Sequence, residues 1–262
     1  MRDSTALIAR LRHVASDTGV RQGDSRAEDG WLTQGLARAQ LHEIHAAHVE
    51  EGASVAGFGV ALALVARATP ILWLRTEAAE RRGGRLHATG LVELGVAVDA
   101  LVLGVVADED ALLRAASDSA RCAGLGTLIV EAWGRCPGID LTSTRRLMLA
   151  AEVSGVTVLL LRVDASPVPT AAATRWGVAA AASTPLEAHA PGAPAFDIEL
   201  QRRRGGPSGR RWRVEWNRDA CRFDDSQSPA VQAAGTPLSG ARLPVASGGT
   251  AAQRPPASVR RA

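Results

Sequence analysis

Short, uninterrupted apolar runs recur through the middle of the chain, and segments of helical length separate them. The clearest runs lie at 71–74 (ILWL), 101–106 (LVLGVV), 127–131 (TLIVE) and 156–161 (VTVLLL). Strands that are apolar on both sides need a cover on both sides, which the helices between parallel strands provide. The alternation therefore predicts an α/β fold in which a mostly parallel β-sheet is flanked by helices.

Further elements extend this pattern. Short strands are predicted at 41–46 (LHEIHA), which a loop follows, and at 174–181 (TRWGVAAA). Helices are predicted at 55–67, 108–121 and 141–154, and the second of these opens with acidic residues in its first turn. Together these elements continue the order expected of an α/β domain.

The two ends of the chain differ from its middle. Residues 4–16 place apolar side chains at helical spacing and predict an amphipathic N-terminal helix. From residue 225 onward Pro, Gly, Ser, Ala and Gln dominate, and this composition predicts a disordered tail. The predicted division is an N-terminal helix and linker (1–30), a core (31–185), a β-hairpin extension of the core (186–224) and the tail (225–262).

The predicted hairpin is strongly basic. Residues 196–201 (FDIELQ) and 211–216 (RWRVEW) alternate apolar with polar side chains, and a loop rich in Gly joins them. Residues 196–222 contain eight Arg against four acidic residues, whereas residues 1–195 contain 18 Arg against 21 acidic residues. The Arg residues at one end of the hairpin are Arg202, Arg203, Arg204, Arg210, Arg211 and Arg213.

We predict that this Arg cluster is exposed and binds a partner protein or DNA. Guanidinium groups pair bidentately with carboxylate and phosphate, and unpaired ones are costly to bury. The alternative is a turn that serves only solubility. Composition alone does not distinguish DNA from an acidic protein surface.

Several kinds of chemistry are excluded by composition. All 30 residues in the Lys+Arg count are Arg, so lysine Schiff bases and the phosphate-binding lysine of P-loops are ruled out. The three cysteines form no CxxC pair, which is typical of a reduced, intracellular protein. The apolar stretch at 91–107 contains two acidic residues and is too short to span a membrane. We therefore expect a cytoplasmic protein that is not an enzyme and that uses no cofactor.

Three histidines near the first predicted strand invite comparison with a zinc site. His42, His45 and His48 surround Glu43, but the HExxH spacing is not met, because a single residue separates Glu43 from His45. On a strand, His42 and His45 point to opposite faces. We expect polar histidines at the edge of a strand and no metal site.

Seven short motifs follow one another along the chain: LHEIHAAH (41–48), ILWLRTE (71–77), GRLHATGLVELGV (84–96), TLIVEAWG (127–134), DLTSTRRLMLAAEVSGVTVLLLR (140–162), TRWGVAAA (174–181) and RRWRVEW (210–216). In this order they resemble the ImuA family, which are RecA-like accessory proteins of SOS-induced translesion mutagenesis. The resemblance covers about residues 30–223. It implies a RecA-like core that carries an N-terminal helix and a C-terminal β-hairpin.

The resemblance also shows where a nucleotide would bind in a working relative. In RecA-type ATPases the loop after the first strand is rich in Gly and ends in Lys followed by Ser or Thr. Here that loop reads AAHVEEGAS (46–54), with one glycine and no lysine. Glu50 and Glu51 are expected to face the incoming phosphates and repel them. The predicted degenerate nucleotide site comprises Ala47, His48, Glu50, Glu51, Gly52, Ser54, Glu77 and Glu131.

The resemblance assigns positions to two of these carboxylates. Glu131 stands where RecA-type strands end in a magnesium-binding Asp, and Glu77 stands where they place a carboxylate that activates water. Two carboxylates without a phosphate cradle do not make a hydrolase. Trp133, at the carboxyl end of the same strand, is expected to line a relic pocket, to anchor a partner or to pack under the following loop.

The resulting hypothesis is a non-catalytic scaffold in damage-induced, error-prone DNA synthesis. The resemblance implies an ImuB-type Y-family polymerase-like protein and an error-prone C-family polymerase as partners, and RecA and DNA are further candidates. One alternative is an inhibitor of cell division similar to SulA, or a regulator of another RecA-fold protein. A second alternative is an active nucleotide-binding ATPase.

Overall fold

The computed structural model describes residues 30–226, and nine strands within them form one sheet in the order β3-β2-β4-β5-β1-β6-β7-β8-β9. The strands are β1 (Leu41–Ala46), β2 (Ile71–Thr76), β3 (Leu101–Val106), β4 (Thr127–Trp133), β5 (Thr157–Val163), β6 (Thr174–Ala180), β7 (Ala195–Arg203), β8 (Arg211–Asn217) and β9 (Arg222–Asp225). All pairings from β3 across to β6 are parallel, and those from β6 to β9 are antiparallel. The prediction of a mostly parallel sheet is confirmed.

Six α-helices accompany the sheet in the described residues. They are α1 (Trp31–Gln34), α2 (Gly52–Val65), α3 (Glu77–Gly83), α4 (Ala88–Leu94), α5 (Glu109–Ser119) and α6 (Leu141–Ser154). Helix α2 packs against β1, β5 and β6, and its buried side chains form a core with one face of the sheet. Helices α5 and α6 pack on β2, β4, β1 and β5 and form a second core. Helices therefore flank the parallel part of the sheet, as predicted.

The end signals of α6 explain why its bounds match the prediction. Asp140 accepts a hydrogen bond from the backbone N–H of Ser143 at 2.7 Å, and the Ser143 hydroxyl accepts one from the backbone N–H of Asp140 at 3.0 Å. This reciprocal capping box fixes the start of the helix. Gly155 ends it in the left-handed conformation, with φ at 85°.

Aromatic side chains tie the hairpin strands to α1 and α2. The ring of Trp31 lies 5.1 Å from Trp176 and 5.5 Å from Trp212, measured between centroids. Phe58 of α2 lies 5.3 Å from Phe223 of β9. The alternating apolar residues of β7 and β8 are all buried on this side: Phe196, Ile198, Leu200, Trp212, Val214 and Trp216. The predicted hairpin is present, and its apolar face belongs to the first core.

Some elements lie outside the prediction. Strand β9 and helices α1, α3 and α4 have no predicted counterpart, and α2 begins at Gly52 rather than at Val55. Among residues 30–226, no helix is both long and apolar enough to cross a lipid bilayer. The predicted N-terminal helix and nearly all of the predicted tail lie outside the described residues.

Candidate functional site

The loop that follows β1 lies where parallel α/β sheets usually bind phosphate. It passes through a 3₁₀ turn at Val49–Glu51 and leads into α2 at Gly52. The N–H groups of a helix start, at the carboxyl end of a parallel strand, form a general anion site. Gly52 is buried, Ser54 is half-buried, and Ala47, His48 and Glu50 are exposed.

The indole of Trp133 fills the space beside this helix start. A Cβ atom added to Gly52 would lie 2.7 Å from Cη2 of Trp133, and one added to Gly83, at the end of α3, would lie 2.5 Å from Cζ2. Real Cβ atoms do not come this close to another atom, so a side chain at either position would displace the indole. The indole is therefore held between the start of α2 and the end of α3. Trp133 is half-buried, and the neighbours that its indole contacts are these two helix ends, which none of the three expected placements named.

A second layer covers the indole. The guanidinium carbon of Arg82 lies 5.7 Å from the ring centroid, which is within the range of a cation–π contact. Arg82 Nη2 also lies 2.6 Å from Asp164 Oδ2, in the loop after β5. Trp133, Arg82 and Asp164 thus link the ends of β4, α3 and β5 at the place where a phosphate would enter.

Glu131 belongs to a buried network of hydrogen bonds. Its Oε1 accepts hydrogen bonds from Arg75 Nη2 at 3.0 Å and from Trp133 Nε1 at 2.5 Å, and its Oε2 accepts one from Trp73 Nε1 at 2.8 Å. Glu131 is 4% exposed and Arg75 is 2% exposed. Arg75 also donates to the carbonyl groups of Ala79 and Gly84. Both carboxylate oxygens therefore already have strong donors inside the protein.

Two other acidic residues of the predicted site, Glu77 and Glu51, have partners of their own. Glu77 is the first residue of α3, is exposed, and pairs with Arg81 one turn later at 3.4 Å. The backbone N–H of Ala180 donates to Glu51 Oε2 at 2.6 Å, so this carboxylate caps the end of β6. The expectation that Glu51 faces the phosphates is therefore wrong, because its carboxylate satisfies a backbone donor at the side of the loop.

His42 is buried in a central strand, so the expectation of polar histidines at a strand edge is wrong for it and for His45. Strand β1 lies between β5 and β6, which cover both of its edges. His42 Nε2 donates to the carbonyl group of Ala37 at 2.8 Å, and Nδ1 lies 2.8 Å from the Thr174 hydroxyl. Burial lowers the pKa of His42 from 6.5 to about 4, although the bond to Ala37 opposes this shift.

Glu43 is the centre of a buried charged cluster on the opposite face of β1. Arg175 Nε donates to Glu43 Oε2 at 2.9 Å, the Thr170 hydroxyl donates to the same oxygen at 2.8 Å, and His45 Nε2 lies 3.1 Å from Oε1. Burial raises the pKa of Glu43, but these contacts outweigh burial and lower the pKa to about 2. Within residues 30–226, no group of three His, Cys, Asp or Glu residues is placed to hold a metal ion.

The structure divides the predicted Arg cluster. Arg202 is half-buried, and its Nη2 donates to the carbonyl groups of Thr170 at 3.1 Å and Ala172 at 2.7 Å. Burial lowers the pKa of Arg202. The expectation that Arg202 projects into solvent is therefore wrong, because its guanidinium group donates hydrogen bonds to the loop after β5. Arg203 and Arg204 are exposed, as expected.

Arg210, Arg211 and Arg213 each have a neighbour on the hairpin. Arg213 forms two hydrogen bonds of 2.8 Å with Asp197 across the strand pair, and Arg211 lies 3.3 Å from Glu199. The guanidinium carbon of Arg210 lies 5.0 Å from the ring centroid of Trp212. A cleft of about 1130 Å³ lies over this face of the hairpin, bordered by the loop after β5. Its acidic and basic side chains are largely paired with one another.

Four residues of this region have a role that was not predicted from the sequence: Trp73, Arg75, Arg82 and Asp164. The signal available for them is the aromatic and charged ending of β2 (ILWLRT) and β4 (TLIVEAW), since charged side chains inside apolar strands must be paired when buried.

No family model matches this chain, and no curated protein sequence matches it either. Among solved structures, the chain is similar to the crystal structure of the RadB recombinase, with a TM-score of 0.50 and 13% sequence identity. The match covers 76% of this chain and 96% of the other. At this identity the likeness shows the fold alone, and that fold is RecA-like.

Proposed function

We propose that this chain is a non-catalytic, RecA-like accessory or scaffold protein of SOS-induced, error-prone translesion DNA synthesis, and that it acts in the cytoplasm through protein contacts. The proposed partners are an ImuB-type Y-family polymerase-like protein and an error-prone C-family polymerase, with RecA and DNA as further candidates. The specific process is supported by the seven motifs that resemble the ImuA family. The RecA-like fold is compatible with it.

The main observation that supports a non-catalytic role is that Glu131 is already bound by three donors inside the protein. A nucleotide needs open space at the start of α2 and a carboxylate free to bind magnesium. Here the Trp133 indole lies against Gly52 at the start of α2, and Glu131 accepts three hydrogen bonds from Trp73, Arg75 and Trp133. The chain also has no lysine to contact phosphate. These features are those expected of a RecA-like fold that binds partner proteins and does not bind nucleotide.

The edge strand β3 supports a role in protein contacts. Among residues 30–226 it pairs only with β2, and it forms one margin of the sheet. Its apolar side chains are unusually accessible, with Val102 58%, Leu103 40% and Val105 40% exposed. An apolar edge strand offers unpaired backbone groups to another chain, and proteins normally protect such edges with charge or cover. We propose that a partner covers β3.

The test is reconstitution with purified components. The full chain is mixed with the ImuB-type protein and with the C-family polymerase, and complexes are measured by size-exclusion chromatography with light scattering. We expect a stable complex with at least one of them, which the double variant Val102→Asp/Val105→Asp weakens. The variant Val98→Asp is a matched control, because Val98 is 82% exposed and lies outside the strand.

Two results would contradict the proposal. One is the absence of any complex with either polymerase component. The other is a tight complex with a cell-division protein in the same assay, which would favour the SulA-like alternative. If the complex forms equally well with the Val102→Asp/Val105→Asp variant, the proposed function stands but β3 is not the surface that binds the partner.

A further inference from the structure

Helix α6 carries an exposed apolar stripe that the fold does not use. Leu141 is 54% exposed, Leu149 is 47% exposed and Val153 is 91% exposed. Leu149 and Val153 are four positions apart and lie on the same side of the helix, and Leu141 lies about two turns before Leu149 on the adjoining side. The inner side of α6 is already packed, through the buried residues Thr144, Leu147, Met148 and Ala151.

Three arginine side chains lie on or beside this stripe. Arg145 and Arg146 are exposed on α6 between Leu141 and Leu149. Arg204 reaches the flank of the same helix from the loop between β7 and β8, where its Nη1 lies 3.3 Å from Met148 Sδ. In the described part of the chain, none of these three guanidinium groups forms an ion pair.

The acidic groups near the stripe do not balance these charges. Glu152 is exposed on α6. Asp140, at the start of the helix, accepts a hydrogen bond from the backbone N–H of Ser143, and the nearby charge of Arg146 also helps to lower its pKa. Three arginines thus stand near two carboxylates, and within residues 30–226 the surface combines exposed apolar side chains with a small excess of positive charge.

We infer that the α6 stripe, formed by Leu141, Arg145, Arg146, Leu149 and Val153, is a docking surface for an acidic amphipathic helix of another protein. Apolar side chains of the partner would cover Leu149 and Val153, since removing apolar area from water drives such contacts. Its carboxylates would pair with Arg145 and Arg146, for which guanidinium forks have matching geometry.

Charge and composition disfavour other occupants. A second copy of the chain, packed symmetrically on α6, would offer one carboxylate, that of Glu152, for the two guanidinium groups of Arg145 and Arg146, so positive charge would be left over in the interface. Nucleic acid would pair its phosphates with the arginines but would leave Leu149 and Val153 without an apolar partner. An acidic amphipathic helix offers both an apolar face for Leu149 and Val153 and carboxylates for the arginines.

This surface is separate from the edge strand β3. Helix α6 packs on β1 and β5, whereas β2 and β4 lie between those strands and β3. The inference therefore rests on α6 alone and goes beyond the proposed function, because it holds for whichever process the protein serves.

The test uses a synthetic, fluorescein-labelled peptide of about five helical turns, built from Leu on one face and Glu on the other. A matched peptide carries Arg in place of Glu. Binding of each peptide to the full chain is measured by fluorescence anisotropy. We expect the Glu peptide to bind at least about tenfold more tightly than the Arg peptide. Leu149→Ser/Val153→Ser and Arg145→Ser/Arg146→Ser should each weaken it by about tenfold or more.

The control variant is Val92→Ser, because Val92 is an exposed apolar residue on α4, and this change should leave binding unmoved. The inference is overturned if the Glu peptide does not bind, or if both peptides bind equally. It is also overturned if the α6 variants bind like the control. Two further measurements can overturn it. If the unchanged protein is a dimer and the Leu149→Ser/Val153→Ser variant is not, the stripe binds a second copy of the chain. If single-stranded DNA binds more tightly than the Glu peptide, and the α6 variants weaken that binding, the stripe binds nucleic acid.

Discussion

Replacing Glu131 with Gln removes one charge from a buried network while keeping the size of the side chain. Glu131 is 4% exposed, and its partner Arg75, at 3.0 Å, is 2% exposed. Breaking a buried ion pair by neutralising one partner costs about 3–5 kcal/mol, because the other charge remains buried without compensation. In a domain of this size that corresponds to a melting temperature lower by about 6–20 °C. Thermal and urea unfolding, followed by circular dichroism, measure the change.

Glu77→Gln is the matched control. Glu77 pairs with Arg81 on the surface of α3, and exposed pairs of this spacing contribute about 0.3–0.5 kcal/mol. We expect its melting temperature to stay close to that of the unchanged protein. A Glu131→Gln variant that is as stable as the Glu77→Gln control would refute the structural role given to this carboxylate.

Three further changes test the rest of the account. Stability should fall as the pH drops from about 6.5 to 4, because the pKa of His42 is lowered to about 4 in the folded protein and His42 gains a proton only in the unfolded chain. It should fall further below about pH 4.5, because the pKa of Glu43 is lowered to about 2 and its carboxylate is protonated first in the unfolded chain. The His42 contribution is about 3 kcal/mol, so the stability of His42→Gln, measured by urea unfolding, should depend less on pH above pH 4. Trp212→Ala should cost about 3–5 kcal/mol, because Trp212 is 7% exposed within the aromatic core, and an unchanged urea midpoint would contradict this. Arg202→Ser should lower the melting temperature and Arg203→Ser should not, since the side chain of Arg202 donates to the loop after β5 and that of Arg203 is exposed; equal melting curves would show that this contact contributes nothing.

Much of the fold could be predicted because its signals are local. The apolar runs of β2, β4 and β5 are short, continuous and bounded by loops. Helix α6 carries its own start signal at Asp140 and its own stop at Gly155. Strand β9 could not be predicted, because three of its four residues are charged and it forms a strand only by pairing with β8.

The candidate site depends on contacts between distant parts of the chain. The loss of lysine and glycine from the loop after β1 is visible in the sequence. The position of Trp133 is not, because it depends on Gly52 and Gly83, which belong to two different helices. The turn of Glu51 toward Ala180 likewise depends on how β6 ends beside the loop. The sequence therefore predicts that the phosphate cradle is missing, and the structure adds that the Trp133 indole lies against the start of α2.

The most direct test of a non-catalytic role is titration of the full chain with ATP and magnesium, by isothermal calorimetry, together with a measurement of phosphate release. With Trp133 beside the start of α2 and Glu131 engaged by three donors, we expect neither saturable binding heat nor hydrolysis above the level of buffer. Stoichiometric binding of ATP, followed by turnover that Glu77→Gln abolishes, would contradict the account.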